Sequence, residues 1–328
     1  MKHVFMIDPK AFHNEQWRMD NVVDSLGQYF RTQEKLNFSI LFSRNRRSAI
    51  GLIQEEAEKS GLGGMIRVYA IGGEGIQFDC LNTVALFPNM QLAIVPYGET
   101  SNFLNVFEKE NAEKKTGNML ANFLDIPSLI NSEALSTDII RWGVNYALNS
   151  CYIGLASKAA KESRERKSGL SRKFLFNISK IVNFIKLIAF SFNKSKAAKK
   201  YELTIDNLDY SGNYSLIHVA NGPYLNGKLT GIKNAAPNDG VLDIALIKAS
   251  HPLRTISSIR RYLKGKRPKN CVIIQGKNIT VRSTGGMWIQ IDNEQILDTE
   301  INLNIVHHAI QLVAPEGLSY PTSELTAL

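Results

Sequence analysis

The sequence predicts an α/β domain followed by an all-β domain. Its first part alternates short apolar strands with helical patterns, whereas its second part has closely spaced strands with little helix between them. The length of 328 residues also corresponds to two domains of about 150 residues each. We therefore predict an N-terminal doubly wound parallel sheet over residues 1–130 and a C-terminal antiparallel β-sandwich over residues 131–308.

Four pairs of a strand and a helix make up the predicted N-terminal domain. The strands are continuous apolar runs, which is typical of parallel strands that helices cover on both faces. The predicted pairs are 4–7 with 16–30, 38–42 with 49–59, 66–71 with 78–87, and 92–95 with 102–107. Ligands of such sheets bind beyond the carboxyl ends of the strands. We expect four polar loops to meet there, namely Asp8-Pro9-Lys10, Ser43-Arg44-Asn45, 72–75 and 96–100.

The loop after the third predicted strand has the sequence Gly72-Gly73-Glu74-Gly75. A strand that leads into a glycine-rich turn and then a helix suits phosphate, because glycine lets backbone N–H groups approach an anion and the helix start adds partial positive charge. Glu74 adds a carboxylate, which indicates that the phosphates arrive with a metal cation or that a hydroxyl group needs an acceptor. A plain tight turn is the alternative interpretation.

Short strands broken by turn residues fill the predicted C-terminal domain. This spacing is typical of an antiparallel sandwich or barrel. The predicted strands are 139–148, 201–205, 215–219, 242–247, 271–275, 278–282, 288–291 and 301–306.

The excess of positive charge comes from one segment, residues 158–200. The formal net charge of the chain is +9, and this segment has 13 Lys or Arg against two Glu, which leaves −2 for the rest. Apolar residues at helical spacing run through it: Phe174, Ile178, Ile181, Ile185, Ile188 and Phe192. We predict a basic helical insertion that contacts an anionic membrane surface, with packing on the sandwich as the alternative. Nucleic acid is not expected, because the aromatic residues lie on the apolar stripe and no nucleic-acid-binding signature is present.

The remaining features of the sequence argue against disulfides, a zinc site and a membrane span. Neither a disulfide framework nor a zinc site is expected from three widely spaced cysteines, Cys80, Cys151 and Cys271. No leader precedes the first strand, and the apolar stretch 181–192 is too short and too polar for a membrane span, which predicts a cytoplasmic protein. Three histidines without ligand spacing are interpreted as ordinary strand residues: His218, His307 and His308.

Short motifs follow one another along nearly the whole chain. They are Asp8-Pro9-Lys10-Ala11, Gly72-Gly73-Glu74-Gly75-Ile76, Pro96-Tyr97-Gly98-Glu99-Thr100-Ser101-Asn102-Phe103, Asn221-Gly222-Pro223-Tyr224, Ala236-Pro237-Asn238-Asp239-Gly240-Val241-Leu242-Asp243 and Gln290-Ile291-Asp292-Asn293-Glu294. In this order they resemble the Asn-Pro, Gly-Gly-Asp-Gly-Thr, Pro-x-Gly-Thr-x-Asn-Asp-Phe, Asn-Gly, Asp-Gly-x-Leu-Asp and Asp-Gly-Glu motifs of the diacylglycerol kinase catalytic-domain family. That family includes bacterial lipid kinases and the sphingosine kinases.

The resemblance implies a fold and a set of site residues. The N-terminal sheet would be like that of NAD kinases and phosphofructokinases, the segment 309–328 would rejoin the first domain, and the cleft would lie between the domains. ATP would be held by Asp8, Pro9, Lys10, Ser43, Gly72, Gly73, Glu74, Gly75, Ile76 and Thr100. Mg²⁺ would be bound by Asp239 and the backbone carbonyl groups of Ala236 and Val241. Glu294 would be the general base that accepts the proton of a lipid hydroxyl group.

Asp239 and Glu294 also have a second interpretation. Without the resemblance, both would be interpreted as turn residues, because Asp-Gly is a common turn dipeptide and residues 292–294 suit a hairpin tip.

Several residues depart from the family pattern, and all of them fall at the nucleotide. Ile76 stands in place of a threonine, Glu74 is one methylene longer than the usual aspartate, and Asp8 stands in place of an asparagine. The other departures are at Phe12, Glu99 and Phe103. The ligand loops therefore differ from the family pattern more than the rest of the chain does.

From the whole pattern we predict a cytoplasmic, peripherally membrane-associated kinase. It would move the γ-phosphoryl group of Mg-ATP to the hydroxyl group of a lipid such as diacylglycerol. The departures favour, as an alternative, a catalytically weakened or inactive homologue that binds lipid or nucleotide. A kinase of a soluble acceptor is a second alternative. A homodimer, the acyl chains and the headgroup are left open.

Overall fold

The structure is a computed structural model that describes residues 1–12, 15–32, 37–45, 47–61, 63–97, 103–109, 119–154, 200–225, 228–292 and 294–321. Apart from Lys200, the predicted basic insertion 158–200 lies outside these described residues. The same holds for Glu99, Thr100 and Asn293, and for 322–328 at the end of the predicted C-terminal segment.

Parallel strands form the N-terminal sheet. They are β1 (Lys2–Ile7), β2 (Asn37–Phe42), β3 (Ile66–Gly72) and β4 (Met90–Pro96). They lie in the order β2-β1-β3-β4, and each neighbouring pair is parallel. All seven residues of β3 are buried, as expected for a central strand of a covered sheet.

Helices connect these strands. They are α1 (Gln16–Arg31), α2 (Ser48–Ser60) and α3 (Glu74–Val84), followed by the short α4 (Ile126–Asn131). α3 begins four residues before its predicted start, because the helix follows Gly73 directly. The predicted helix 102–107 is instead a 3₁₀ turn, Phe103–Val106, and a second such turn, Met119–Leu124, precedes α4. The doubly wound arrangement, which needs helices on both faces of the sheet, stays a prediction.

The C-terminal part is rich in antiparallel strands. After β5 (Glu108–Lys109), which pairs with β18, the strands are β6 (Ala134–Trp142), β7 (Asn145–Ala147), β8 (Ser150–Gly154), β9 (Lys200–Ile205), β10 (Leu208–Asp209), β11 (Gly212–Ala220), β12 (Tyr224–Leu225), β13 (Lys228–Leu229), β14 (Leu242–Lys248), β15 (Cys271–Gly276), β16 (Asn278–Ile291), β17 (Glu294–Val313) and β18 (Leu318–Ser319). The predicted strand 139–148 is a hairpin of β6 and β7. An unpredicted helix, α5 (Pro252–Tyr262), follows β14.

The strand pairings close a ring and then join the two parts of the molecule. β9, β11, β8 and β16 pair in succession, and β16 pairs back to β9. β17 pairs with β16 and β6, and its residues Gln311 and Leu312 pair in parallel with Gln91 and Leu92 of β4. The sequence predicted separate sheets, whereas both parts share one 14-stranded sheet. The reason is the length of β17, whose 20 residues extend roughly 65 Å.

Apolar side chains cluster in both parts. In the N-terminal part, the rings of Phe5 and Tyr69 stack with their centroids 4.3 Å apart. A second cluster fills the strand ring, and a third includes Ile259 and Tyr262 of α5. The three cysteines are buried and free. None of the described helices combines the length and the apolar character that a membrane span requires.

Candidate active site

The glycine-rich loop begins where β3 ends, and its geometry requires glycine at position 72. Gly72 has φ +151°, and a Cβ atom there would lie 2.9 Å from Ile76 Cγ2 and 3.0 Å from Asp8 Cβ. Gly73 is the N-cap residue of α3, and nothing lies within 4 Å of its Cβ position. The loop thus brings the N-terminus of α3 to the carboxyl edge of the sheet, an arrangement that favours an anion.

The first loop packs against the glycine-rich loop. The Asp8 N–H donates to Ile71 O at 3.0 Å. The Asp8 carboxylate accepts from the Lys10 N–H at 3.0 Å and so starts the 3₁₀ turn Pro9–Phe12. The Asp8 side chain, which departs from the family pattern, therefore accepts a hydrogen bond within its own loop.

Further predicted nucleotide residues lie at the same edge. The Ser43 N–H donates to Ile7 O at 2.8 Å, which places Ser43 beside the first loop. Ile76 is buried against Gly72, so its backbone and not its side chain is available to a nucleotide. Phe12 stacks on Tyr97 with the ring centroids 4.9 Å apart and fills space at this edge.

Arg47, which the sequence analysis did not single out, joins this edge to the predicted base. Its N–H donates to Asp79 Oδ2 at 2.8 Å, and its φ is 68°. Its guanidinium carbon lies 4.6 Å from the centre of the Phe78 ring. One guanidinium nitrogen lies 4.0 Å from Glu294 Oε2. Because Phe78 and Asp79 belong to α3, Arg47 is fixed to the helix that follows the glycine-rich loop and reaches Glu294 from there.

Asp292, two residues before Glu294, anchors the turn between β16 and β17. Its carboxylate accepts from the N–H groups of Leu148 at 2.6 Å, Asn149 at 3.1 Å and Ser150 at 2.9 Å. Burial raises the pKa of Asp292, and these three donors act in the opposite direction. The Glu294 side chain is only 13% exposed. Asp292 therefore positions the strand start from which Glu294 projects.

The Asn-Gly motif lies where the two parts meet. The Asn221 Nδ2 group donates to Asp138 O at 2.8 Å. A Cβ atom at Gly222 would lie 2.8 Å from Asn149 Oδ1 and 3.8 Å from a ring carbon of Phe103 in the N-terminal part. The side-chain oxygens of Asn149 and Asn221 are buried and have no hydrogen-bond partner within the described ranges. Since buried polar atoms are normally paired, these oxygens are suited to a water molecule or a ligand donor.

The loop 236–241 carries the residues that the resemblance implies for magnesium: Ala236, Asp239 and Val241. Asp239 Oδ1 accepts from the Val241 N–H at 3.1 Å. Burial, and then nearby Asp138, raises the pKa of Asp239; burial, and then Asp239, raises the pKa of Asp243 to about 6. Carboxyl groups that resist ionisation in a poorly hydrated place fit a divalent cation, which would offset their charge.

The predicted site residues fall into two groups. The first and glycine-rich loops, with Ser43, lie at the carboxyl edge of the N-terminal sheet, and Arg47 links this edge to Glu294. The loop 236–241 belongs to a second group around Asp138, whose N–H donates to Pro237 O and whose Oδ2 accepts from the Gly240 N–H, both at 2.7 Å. Thr100 lies outside the described residues.

Arg47 and Asp138 are the residues that sequence reasoning missed. A signal existed for Arg47, because three arginines, Arg44, Arg46 and Arg47, follow the second predicted strand at the ligand edge. No local signal existed for Asp138, since its partners Gly240 and His307 are 102 and 169 residues away.

Known proteins resemble the chain over nearly its full length. The model of the family described as "YegS C-terminal NAD kinase beta sandwich-like domain" matches residues 181–314. A Staphylococcus aureus (strain Newman) protein named "Putative lipid kinase" is 23% identical over 318 residues, which cover 94% of this chain and 97% of that protein.

Two solved structures of Bacillus anthracis str. Sterne proteins share the fold. One, titled "a putative diacylglycerol kinase", has a TM-score of 0.69 at 22% identity and covers 98% of this chain and 97% of its own. Another, titled as a diacylglycerol kinase, has a TM-score of 0.65 at 19% identity, with the same coverage. These comparisons confirm the resemblance to the diacylglycerol kinase-like lipid kinases that the motifs carry.

Proposed function

We propose, from this resemblance and from the site, that the protein transfers the γ-phosphoryl group of ATP to the hydroxyl group of a lipid such as diacylglycerol. The observation that carries the proposal is the 4.0 Å approach of Arg47 to Glu294. This contact brings the Glu294 carboxylate and the Arg47 guanidinium group together beside α3, the helix that starts at the glycine-rich loop. The relatives named as a lipid kinase and a diacylglycerol kinase support the lipid as acceptor.

The N-terminal edge holds the phosphates. Backbone N–H groups of the glycine-rich loop and the positive end of α3 face the negative charge of the nucleotide. Arg47 adds a full positive charge, which stabilises the transition state most when it lies beside the phosphoryl group that is transferred. Magnesium, held by Asp239 with the carbonyl groups of Ala236 and Val241, would neutralise negative charge in the C-terminal part and order the loop 236–241.

Glu294 acts as the general base. It accepts the hydroxyl proton while the lipid oxygen forms a bond to the γ-phosphorus and the bond from that phosphorus to the bridging oxygen breaks. The products are a phosphorylated lipid and ADP, and the proton then leaves Glu294 for solvent. Arg47 lies beside this carboxylate, and Asp292 fixes the turn that precedes Glu294 through its bonds to residues 148–150.

Transfer of labelled γ-phosphate to diacylglycerol in mixed micelles tests the proposal. We expect label in the lipid with the wild type and a loss of about 100-fold or more in Glu294→Gln, which keeps the shape but cannot accept the proton. Glu300→Gln is the matched control, because Glu300 lies on the same strand and pairs with Arg282 on the exposed face. No label in the lipid, or equal label in Glu294→Gln, would refute the proposal. Label in a water-soluble alcohol instead would favour a kinase of a soluble acceptor.

A second candidate is a homologue that binds ligands without transferring phosphate. The stack of Phe12 on Tyr97 favours it, because this stack occupies part of the nucleotide edge, and so does the buried apolar side chain of Ile76. Titration calorimetry with Mg-ATP and with lipid, read together with the transfer assay, separates the candidates. The kinase requires ATP binding by the wild type, whereas the second candidate predicts lipid binding without turnover of ATP.

Contact with an anionic membrane surface through residues 158–200 is part of the proposal. The charge of +11 in this segment supports it. Sedimentation with phosphatidylserine vesicles should carry down the protein at low salt, and binding should fall at high salt and with neutral vesicles. Equal binding to neutral vesicles would contradict an electrostatic contact.

A further inference from the structure

A bulge in β17 brings two consecutive histidines onto one side of the sheet. Residues 307–309 all lie opposite the single residue Asp138 of β6. His308 has φ 50°, which residues other than glycine rarely adopt. Neighbouring residues of a regular strand point to opposite faces. Here the imidazole rings of His307 and His308 are stacked, with their centroids 3.6 Å apart.

Asp138 completes a cluster with these two rings. It is fully buried, and its Oδ1 is hydrogen-bonded to His307 Nδ1 at 2.8 Å and to the His308 N–H at 2.7 Å. Its Oδ2 accepts from the Gly240 N–H at 2.7 Å, which fixes the carboxylate plane. One carboxylate oxygen and one ring nitrogen from each histidine lie within 4.8 Å of one another.

This ligand set differs from the one implied for magnesium. Two imidazoles and a carboxylate suit zinc and other divalent transition metals. Magnesium prefers oxygen ligands, as Asp239 and backbone carbonyl groups would supply. The His307 side chain is 50% exposed, so an ion can reach the cluster from solvent.

The absence of a side chain at Gly240 leaves room for the imidazole ring of His307. The φ of Gly240 is 75°, and a Cβ atom there would lie 3.2 Å from His307 Nδ1. The glycine therefore lets the loop 236–241 approach the cluster. The Gly240 N–H donates to the buried Asp138 carboxylate, as hydrogen-bond donors commonly do to carboxylates that ligate a metal.

We propose that Asp138, His307 and His308 bind one divalent transition-metal ion, with Zn²⁺ as the ion to test. The ion would connect β6 with the bulge of β17 beside the loop 236–241. This site borders the loop 236–241 through Gly240, but its three ligands differ from the residues that the resemblance implies for magnesium.

Titration calorimetry of chelator-treated full-length protein with Zn²⁺, checked by elemental analysis after desalting, tests the site. We expect one Zn²⁺ per chain. Affinity should fall at least about tenfold in His307→Ala and in His308→Gly, where glycine tolerates the positive φ. His251→Ala is the matched control, since His251 is an exposed histidine at the start of α5. Thermal unfolding of each variant without metal shows whether it still folds.

Three results would overturn the proposal. The first is a wild type that binds no stoichiometric Zn²⁺. The second is binding that His307→Ala and His308→Gly leave unchanged although both variants fold. The third is loss of Zn²⁺ binding in Asp239→Asn or in millimolar Mg²⁺, because the ion would then belong to the loop 236–241.

Discussion

The two sides of the candidate active site are held in place by different forces. On the side of the glycine-rich loop, close packing shapes the backbone, because Gly72 lies between Ile76 and Asp8. On the side of Glu294, the start of β17 is held by the partly buried carboxylate of Asp292 and its three N–H donors. The shape of the glycine-rich loop depends on the absence of a side chain at Gly72, whereas the start of β17 depends on the carboxylate of Asp292.

This difference decides what the sequence can reveal. The glycine-rich loop leaves a short motif, since Gly72, Gly73 and Ile76 are close together in the chain, although Asp8 packs there from a distant loop. The bonds of Asp292 join residues more than 140 positions apart. Substitutions on the two sides should therefore differ in the force that they remove and in their dependence on pH.

The largest effect is expected at Gly72. Gly72→Ala adds a Cβ atom at φ +151° that collides with Ile76 and Asp8, and we expect it to lower the free energy of unfolding by about 4 kcal/mol. Gly73→Ala is the control, because its φ is −84° and its Cβ position is open. Urea unfolding measures both. Equal stability of the two variants would show that packing does not shape this loop.

Asp292→Ala should give the next largest effect. It leaves three N–H groups of residues 148–150 without their acceptor, and we expect a loss of about 3 kcal/mol in the free energy of unfolding. Asp292→Asn keeps one acceptor oxygen and should lose clearly less. If both variants are as stable as the wild type, the carboxylate does not anchor the turn.

Arg47→Gln should lower phosphoryl transfer without a comparable loss of stability. The guanidinium group is partly exposed, and its removal leaves α3 intact, so we expect kcat to fall by about 100-fold while the unfolding midpoint changes little. Arg47→Lys should recover part of the rate, because it restores the charge but not the planar fork. A normal kcat in Arg47→Gln would show that Arg47 has no role in phosphoryl transfer.

The smallest effect concerns pH and Asp243, which lies in β14 just after the loop 236–241. The pKa of Asp243 is raised to about 6, above its usual value near 4, so the folded state holds the proton more tightly than the unfolded state. The associated stability is complete below about pH 4 and is lost as pH rises through about 6, by on the order of 2 kcal/mol. Asp243→Asn should flatten this part of the profile. Urea unfolding across this range checks it, and an unchanged slope would contradict the assignment.

Much of the fold could be predicted from the sequence. Continuous apolar runs identified the four parallel strands of the N-terminal sheet, and dense short strands identified a β-rich C-terminal part. The joining of both parts in one sheet could not be predicted, because the pairing of β17 with β4 involves only two residue pairs. α5 was missed although the sequence carries a signal for it, since Ile256, Ile259 and Tyr262 recur at helical spacing after Pro252.

The candidate site divides in the same way. The glycine-rich loop and the Asp-x-Glu motif were visible as short patterns. The arginines after the second strand were visible too, but the contact of Arg47 with Glu294 was not, because it spans about 250 residues. His307 and His308 were interpreted as ordinary strand residues, whereas the bulge of β17 stacks them beside Asp138. Long-range hydrogen bonds and backbone bulges leave no periodic signal in a sequence.

The most direct test of the central claim is a double-mutant cycle on kcat/KM for transfer of phosphate from ATP to diacylglycerol. The four proteins are the wild type, Arg47→Gln, Glu294→Gln and the double variant. If both residues act on the same transferring group, the double variant should be hardly slower than Glu294→Gln alone. Fully additive effects, or a wild type without transfer, would contradict the account.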